Sequence, residues 1–326
     1  MNNFACIGYG KMGKIRATTA IDLNQNFIAF FDPYSDEDDE KKVNNIEQII
    51  EDSKINNVFI STPNFMNAEL VIKCLKNNKN VFCEKPPALN LHELINVKKV
   101  YAKSKKTLMY GFNHRYHESI IHMKSLIDSG EYGNLIWMRG RYGKSTDENF
   151  FDGWRAKKDQ AGGGIVIDQG IHMLDLFLLF AGKFTSVHAA LSNHYWGLEI
   201  EDNAFITLQN QDKSISASLH STMTQWRHLF SLEVFLERGY MVLNGLKTSS
   251  GAYGDEVLTL AKNRSKPPAA SWEEDIITTY SVDNSWNNEL KEFFTSIREN
   301  RDPRMGNIDD AINVMTLIDD IYSFRD

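Results

Sequence analysis

The stretch Phe4-Ala-Cys-Ile-Gly8-Tyr-Gly10-Lys-Met-Gly13 decides the fold of the first half of the chain. Its first four residues predict a short buried strand, and its three glycines predict the turn into a helix. Gly8 permits the tight turn, Gly10 lets a phosphate approach the backbone, and Gly13 lets the helix pack against the strand. The N–H groups and the positive end of such a helix face an anion. The stretch therefore predicts a site for the pyrophosphate of a dinucleotide. The residues expected to line it are Gly8, Gly10, Lys11, Met12 and Gly13.

A carboxylate further along the chain indicates which dinucleotide binds. Residues 27–31 predict a second strand, and Asp32 follows it directly. A carboxylate about twenty residues beyond the glycines accepts hydrogen bonds from the adenosine ribose and repels a 2′-phosphate. A site for the phosphorylated cofactor usually has an arginine nearby, whereas the residues after Asp32 include no base before Lys41. The sequence favours NAD, with NADP the weaker candidate; an Asp32 that only caps the turn before Pro33 is the alternative.

Length, charge and cysteine usage restrict the class of protein. The 326 residues predict two domains with a substantial core. The net charge of −7 argues against nucleic acid or an anionic membrane as a partner. We expect no signal peptide and no membrane span, since the opening strand begins at once and no long apolar stretch lacks charges. We interpret Cys6, Cys74 and Cys83 as buried, reduced thiols, which favours a cytoplasmic location.

Strands and helices alternate through the first 115 residues. Apolar runs at 4–7, 27–31, 58–60, 81–83 and 107–112 predict strands, and residues 46–50, 68–75 and 91–102 predict helices. This alternation is typical of an α/β domain with a doubly wound parallel sheet, which we place over residues 1–118. Ligands bind at the carboxyl ends of such strands. The glycine and polar residues that follow the strands are Gly8, Asp32, Thr62, Glu84 and Asn113.

The pattern changes after about residue 120. Residues 135–142, 186–196, 204–208, 215–223, 230–236 and 240–243 predict strands, several with alternating apolar and polar residues. Such alternation predicts a mostly antiparallel sheet with one covered face. Helices are expected at 170–180, 289–298 and 309–324, and residues 266–270 predict a loop. We assign residues 119–326 to an α+β domain that binds substrate and mediates oligomerisation.

Two constellations carry residues suited to catalysis. Glu84-Lys85-Pro86 follows a core strand, and a partly desolvated Lys85 there suits a substrate oxygen; a solvated loop lysine is the alternative. In Gly162-Gly-Gly164-Ile-Val-Ile-Asp168-Gln-Gly170-Ile-His172-Met-Leu-Asp175, the last three polar side chains share one helical face if the helix starts by Asp168. An imidazole beside a carboxylate suits general acid–base catalysis. No motif supplies a third zinc ligand, so we predict no metal.

Together these features resemble the glucose–fructose oxidoreductase/inositol dehydrogenase family, often called Gfo/Idh/MocA. The resemblance covers nearly the whole chain. Its motifs are the glycine turn, Thr62-Pro63-Asn64, Glu84-Lys85-Pro86, Gly111-Phe-Asn-His-Arg115-Tyr, Trp154-Arg155, and the series Asp168, His172 and Asp175. It implies an N-terminal Rossmann domain, a C-terminal open-faced sheet domain and a homodimer or homotetramer formed through the sheets. It also implies hydride exchange between a nicotinamide and a carbinol carbon of a sugar or cyclitol.

The resemblance implies roles for individual residues. Lys85, Asp168 and His172 match the catalytic positions, and the Lys85–Pro86 bond is expected to be cis. Cofactor contacts are also expected from Thr62, Pro63, Asn64, Glu84 and Lys85. Substrate contacts are expected from Lys85, Asn113, Arg115, Trp154, Arg155, Asp168 and His172. The chain departs from the pattern at Asn67, where relatives usually carry histidine.

Arginines and aromatic residues bear on the substrate. Aromatic faces suit sugar C–H surfaces and arginines suit phosphate or carboxylate, which favours a sugar and includes one linked to a nucleotide diphosphate. Trp154 and Trp226 as core or interface residues are the alternative. The further candidates are His114, Tyr116 and Arg227.

The expected reaction begins when His172 takes the hydroxyl proton. Asp168 orients the imidazole and Lys85 stabilises the developing oxyanion, although either Lys85 or His172 suits the role of base. Two alternatives have other outcomes. One is a non-catalytic NAD-binding sensor, and the other is an NAD-dependent glycosidase with no net redox change.

Overall fold

The computed structural model describes residues 2–146, 149–212, 214–262 and 272–324. The loop predicted at 266–270 lies outside these ranges. The described chain folds into two compact units. The first holds the residues up to Asn113 together with Asp159–Gly162 and Ser285–Met315, and the second holds the others.

The first unit contains a five-stranded parallel sheet with the strand order β2-β1-β3-β4-β5. The elements up to residue 111 are β1 (Asn3–Ile7), α1 (Lys11–Asp22), β2 (Asn26–Phe31), α2 (Glu47–Ile50), β3 (Asn57–Ile60), α3 (Asn64–Lys76), β4 (Asn80–Glu84), α4 (Leu91–Tyr101) and β5 (Leu108–Gly111). The predicted parallel sheet is confirmed. The strand order reverses between β1 and β3, and ligands of such sheets bind at the carboxyl ends of the strands beside this switch point.

The first unit extends beyond the predicted boundary at residue 118. The elements after β5 are α5 (Glu118–Ser129), β6 (Leu135–Gly143), α6 (Asn149–Asp152), α7 (Lys158–Ala161), α8 (Ile171–Ala181), β7 (Ser186–Ser192), β8 (Asn203–Gln209), β9 (Ser216–Thr222), β10 (Leu229–Leu236), β11 (Gly239–Asn244), β12 (Glu256–Lys262), β13 (Ile276–Tyr280), α9 (Ser285–Glu299) and α10 (Ile308–Ser323). Helix α9 joins the first unit because its Phe293 packs against Phe59 of β3 and Phe82 of β4. A boundary drawn along the sequence misses this return of the chain.

The second unit contains an eight-stranded sheet with the order β13-β12-β11-β10-β6-β9-β8-β7. All neighbouring strands are antiparallel except β6 and β9, so the predicted mostly antiparallel sheet is confirmed. Strands β12 and β13 were not predicted. The leucines, alanine and lysine of β12 also suit a helix, and β13 is a short edge strand.

One face of this sheet is covered and the other is open. Helix α8 packs against β6 at Gly140, where a Cβ atom would lie 2.4 Å from Met173 Cγ. Along β8, Ala204, Ile206 and Leu208 are buried, whereas the alternate residue Phe205 is 55% exposed. The alternation that predicted a half-covered sheet is therefore present in its burial pattern.

One helical stretch of the described chain, Lys158–Ala181, is long and apolar enough to cross a membrane by length and composition alone. Of its most apolar window, 72% is buried inside the protein itself. A helix in the core of a folded protein can have this apolar composition and this degree of burial, so the stretch is weak evidence of a membrane span.

Candidate active site

In the glycine turn, a side chain would clash with the backbone at two of the three glycines and would meet open space at the third. Gly8 has a φ of +85°, and a Cβ atom there would lie 2.4 Å from the Ser61 carbonyl oxygen. A Cβ atom on Gly13 would lie 2.1 Å from the Gly8 carbonyl oxygen, whereas one on Gly10 meets nothing within 4 Å. The turn and the helix packing therefore need Gly8 and Gly13, and the open side lies at Gly10, which is the N-cap of α1. The backbone N–H groups of Lys11 and Met12 lie in the first turn, where no intrahelical acceptor exists. This geometry fits a diphosphate.

Asp32 is held beside the glycine turn by backbone donors. The Tyr9 N–H donates to one carboxylate oxygen at 2.8 Å and the Tyr34 N–H donates to the other at 2.9 Å. Each oxygen keeps a second acceptor site for a ribose hydroxyl. The sequence suggested no base near this position, but α1 brings Lys14 close to the ring of Tyr9, 5.8 Å from its centroid. Lys14 forms an ion pair with Glu37.

A chain of hydrogen bonds links the loop after β3 to the loop after β4. The Thr62 hydroxyl donates to Asn67 Oδ1 at 2.9 Å, and Asn67 Nδ2 donates to the Pro86 carbonyl at 2.9 Å. The Lys85–Pro86 peptide bond is cis. Asn67, where the chain departs from the family pattern, is fully buried and serves as the link between the two loops.

Asn64 and Asn113 are both buried, with backbone or hydroxyl partners in the first unit. Asn64 Nδ2 donates to the Ala161 carbonyl at 2.8 Å, and Asn113 Nδ2 lies 3.5 Å from the Ser285 hydroxyl. The predicted cofactor role of Asn64 and substrate role of Asn113 stay predictions.

Glu84 lies inside the first unit. Its carboxylate accepts a hydrogen bond from Arg16 Nε at 2.6 Å, and Arg16 Nη1 donates to Glu289 at 2.5 Å. The guanidinium is fully buried between the rings of Phe82 and Trp286, at 4.3 and 4.5 Å from their centroids. The Glu84 side chain therefore joins α1, β4 and α9, and the cofactor contact predicted for it stays a prediction.

In the second unit, the series Asp168, His172 and Asp175 starts in a π-helix. Val166–Gly170 is π-helical and α8 follows it, so the expected α-helical face begins only after Asp168. Asp168 accepts from Lys144 Nζ at 2.7 Å, and Arg155 Nε lies 3.8 Å away. His172 stacks on His114. The residues predicted as one face thus have different partners.

Arg115 and Asp175 form a buried ion pair. Arg115 Nε and Nη2 donate to the two carboxylate oxygens at 2.7 and 2.6 Å. Both side chains are almost fully buried. This pair joins the 3-10 turn after β5 to helix α8, and the substrate contact predicted for Arg115 stays a prediction.

Trp154 and Arg155 lie on a short 3-10 turn, with the guanidinium 4.3 Å from the indole centroid. Arg155 is about half exposed and close to Asp168, so a substrate role for it stays a prediction. Trp226 is 97% exposed, which excludes the core position considered for it.

Two sequence models of one protein family match the chain. Residues 2–112 match the oxidoreductase family with an NAD-binding Rossmann fold, and residues 120–242 match the GFO/IDH/MocA C-terminal domain. The chain belongs to the GFO/IDH/MocA family of oxidoreductases. The predicted family, its oxidoreductase class and NAD as cofactor are confirmed.

Individual relatives share only part of their sequence with this chain. Levoglucosan dehydrogenase from Pseudarthrobacter phenanthrenivorans is 34% identical over 158 residues, which are 47% of this chain and 40% of that enzyme. The chain thus matches less than half of that relative's length. The 2,7-anhydro-N-acetylneuraminate hydratase from Escherichia coli is 24% identical over 260 residues, covering 76% of this chain and 67% of the relative. A solved levoglucosan dehydrogenase with NADH and levoglucosan has a TM-score of 0.86 at 20% identity, over 98% of this chain and 96% of that one. This last similarity is one of fold.

The second unit of this GFO/IDH/MocA protein holds polar residues that sequence reasoning missed. Lys144, Tyr142 and Tyr253 lie around the predicted catalytic segment: Lys144 bonds Asp168, and Tyr253 Oη lies 3.4 Å from Gln169 Oε1. Burial raises the pKa of Tyr253 to about 12. Tyr142 lies near the carboxyl end of β6 and Lys144 directly follows this strand, and that position was the available signal. Within the described ranges, no group of three or more His, Cys, Asp or Glu side chains is arranged to hold a metal ion.

Proposed function

We propose that this GFO/IDH/MocA oxidoreductase transfers a hydride between NAD and a carbinol or ketone carbon of a sugar, cyclitol or nucleotide-linked sugar. The observation that carries the proposal is the position of Lys85. It follows β4 directly, at the same carboxyl edge of the parallel sheet as the glycine turn and Asp32. Ligands of parallel sheets bind along this edge.

The residues of the chain supply proton transfer and charge stabilisation. Bound NAD supplies the hydride acceptor. Lys85 donates a hydrogen bond to the substrate oxygen and stabilises its developing negative charge. His172 takes the hydroxyl proton, and Asp168, one helical turn earlier and held by Lys144, orients the substrate hydroxyl and the imidazole. That Lys85 and His172 meet at one substrate stays a prediction, as does the assignment of the base between them.

A reaction without net redox change is the second candidate. It is favoured by the name of the E. coli relative, a hydratase, because hydration adds water and leaves the redox state unchanged. Accumulation of reduced nicotinamide distinguishes the two candidates, since only a dehydrogenase accumulates it.

We also propose a homodimer or homotetramer that forms through the open face of the second-unit sheet, and a cytoplasmic location. The first rests on the exposed side chains of that face, among them Phe205. The second rests on Cys6, Cys74 and Cys83, which are free and buried, as thiols in a reducing compartment are.

A substrate screen with two variants tests the proposed function. The intact protein is mixed with NAD or NADH and with sugars, anhydro-sugars, inositols or nucleotide sugars, and the absorbance of the reduced nicotinamide is followed. We expect Lys85→Met and His172→Ala each to lower kcat on the active substrate by about a hundredfold or more, with the Kd for NADH changed less than about threefold. Calorimetric titration measures that Kd. A sensor binds NADH and turns over nothing in the screen, and a His172→Ala variant with normal turnover excludes that residue as the proton carrier.

A further inference from the structure

We infer that His114 is a positioning residue for His172, holding its imidazole in one plane through ring stacking. This inference rests on the proposed function, in which His172 moves the substrate proton. The two ring centroids lie 3.8 Å apart and the ring planes differ by 17°. Both side chains are buried, with 7% of His114 and 5% of His172 exposed. One full face of the His172 ring is therefore covered by a second imidazole.

His114 is itself fixed from two further directions. Its Nε2 forms a hydrogen bond with the Tyr142 hydroxyl at 2.9 Å, and the Phe230 ring lies 5.9 Å away at an angle of 52°. Tyr142 is buried in β6, and burial raises the pKa of its hydroxyl well above the usual value. The hydroxyl therefore stays protonated, and the bond to His114 involves no tyrosinate. A rigid support thus reaches from the sheet, through Tyr142 and His114, to His172.

The stack matters because an imidazole has little orientation of its own. The χ2 torsion of histidine is broad, so the ring of an unsupported histidine samples many planes. A proton carrier needs its nitrogen aimed at the substrate oxygen, and a misplacement of about 1 Å costs about a hundredfold in rate. This effect acts on the chemical step and leaves substrate affinity nearly unchanged.

Two substitutions of similar bulk test the inference. His114→Phe keeps an aromatic face against His172, whereas His114→Leu fills the space without one. We expect His114→Leu to lower kcat by about ten- to a hundredfold with KM for the sugar changed less than about threefold. We expect His114→Phe, which keeps the ring face but loses the bond to Tyr142, to lower kcat clearly less than His114→Leu does. His122→Leu, which removes a histidine bonded to Tyr280, is the matched control and keeps wild-type kcat.

A second readout does not depend on turnover. Nitrogen-edited NMR of the imidazoles follows the His172 resonance, identified by its loss in a His172→Asn variant. We expect that resonance to move in His114→Leu and to stay nearly in place in His122→Leu. A wild-type kcat and an unmoved resonance in His114→Leu overturn the inference. Equal losses of kcat in the Leu and Phe variants overturn it as well, because the aromatic face then does nothing. If wild type turns over no compound, the proposed function fails, while the NMR comparison still decides whether His114 holds His172.

Discussion

At the scale of single residues, the most consequential arrangement is the buried cation Arg16 between two carboxylates. Glu84 and Glu289 accept its hydrogen bonds, and the ring faces of Phe82 and Trp286 enclose it. Burial lowers the pKa of the guanidinium, but the two carboxylates more than offset this and raise it above its usual value. Removing one partner of a buried ion pair leaves an uncompensated charge in the interior.

Replacement of Arg16 therefore destabilises the protein strongly. We expect Arg16→Met to lower the free energy of unfolding by about 3–5 kcal/mol, because the buried carboxylates of Glu84 and Glu289 then lose the Arg16 cation. Urea unfolding measures the change. The control is Lys98→Met, which breaks an exposed pair with Asp309 and changes the same free energy by less than about 1 kcal/mol. An Arg16→Met variant within about 1 kcal/mol of wild type contradicts the argument.

The residue scale also shows what a sequence leaves undetermined. The roles of Gly8, Gly10 and Gly13 follow from their order and spacing, and the structure gives each the expected surroundings. The partners of charged residues cannot be inferred from sequence order and spacing in this way. Arg16 bonds residues 68 and 273 positions away, and Arg115 bonds one 60 positions away. Such pairs depend on tertiary packing, so the sequence could not show that Glu84 pairs with Arg16 or that Arg115 pairs with Asp175.

At the scale of elements, the segment that carries Asp168 and His172 is held at its start by a distant residue. Glu201 accepts three successive N–H groups there: its side chain binds those of Gly164 and Val166 at 2.9 and 3.0 Å, and its carbonyl binds that of Ile165 at 3.0 Å. The Tyr322 hydroxyl donates to the same carboxylate at 2.8 Å. No sequence pattern marks this cap, because N-cap residues normally adjoin the helix they cap.

Substituting Glu201 removes part of that cap. Burial raises the pKa of Glu201 above its usual value, and its N–H and hydroxyl donors offset this only in part. We expect Glu201→Gln to lower the free energy of unfolding at neutral pH by about 1–3 kcal/mol, because the amide nitrogen cannot accept from a backbone N–H. Chemical unfolding measures the loss, and the exposed Glu199→Gln is the matched control. A loss no larger than that of the control contradicts the role of Glu201.

The same variant has a pH dependence of defined sign. The folded protein binds the Glu201 proton more tightly than the unfolded chain, so its unfolding free energy falls as pH rises through the raised pKa. Glu201→Gln lacks this slope. The advantage of wild type over the variant is therefore larger near pH 4 than at neutral pH, as far as this one group is concerned. Unfolding curves of both proteins across this range measure it.

The sequence predicted helices and strands better than it predicted the irregular turns that connect them. Strands with period-two alternation and helices with buried faces follow from the sequence, since burial of alternate residues leaves a direct pattern in it. The π-helical turn at Val166–Gly170 leaves no such pattern in the sequence. The sequence thus predicted a helix over 170–180 but not the π-helical turn before it, and the catalytic roles of Asp168 and His172 stay predictions.

At the scale of the whole molecule, the open face of the eight-stranded sheet bears on assembly. A shallow groove crosses it, lined among others by Arg139, Arg141, His188, Phe205, Thr207 and His220. The Phe205 ring stacks on His220 at 4.1 Å and is still 55% exposed. An aromatic centre with arginine and histidine around it resembles the composition of a protein interface more than that of a solvated sheet.

A charge placed at the centre of this face tests the proposed assembly. If copies of the chain associate through it, Phe205→Glu buries carboxylates without partners in the interface, and we expect the molar mass in light scattering to fall to that of the monomer. The Phe205 side chain points away from the covered core of its own sheet. Any fall in the thermal unfolding midpoint of Phe205→Glu should therefore come from loss of the oligomer and not from a disrupted core. Ile21→Glu, at a 49% exposed position on α1, is the control and leaves the mass unchanged. An oligomer that survives Phe205→Glu associates through another surface, since a buried carboxylate on each copy costs more than a stable interface tolerates.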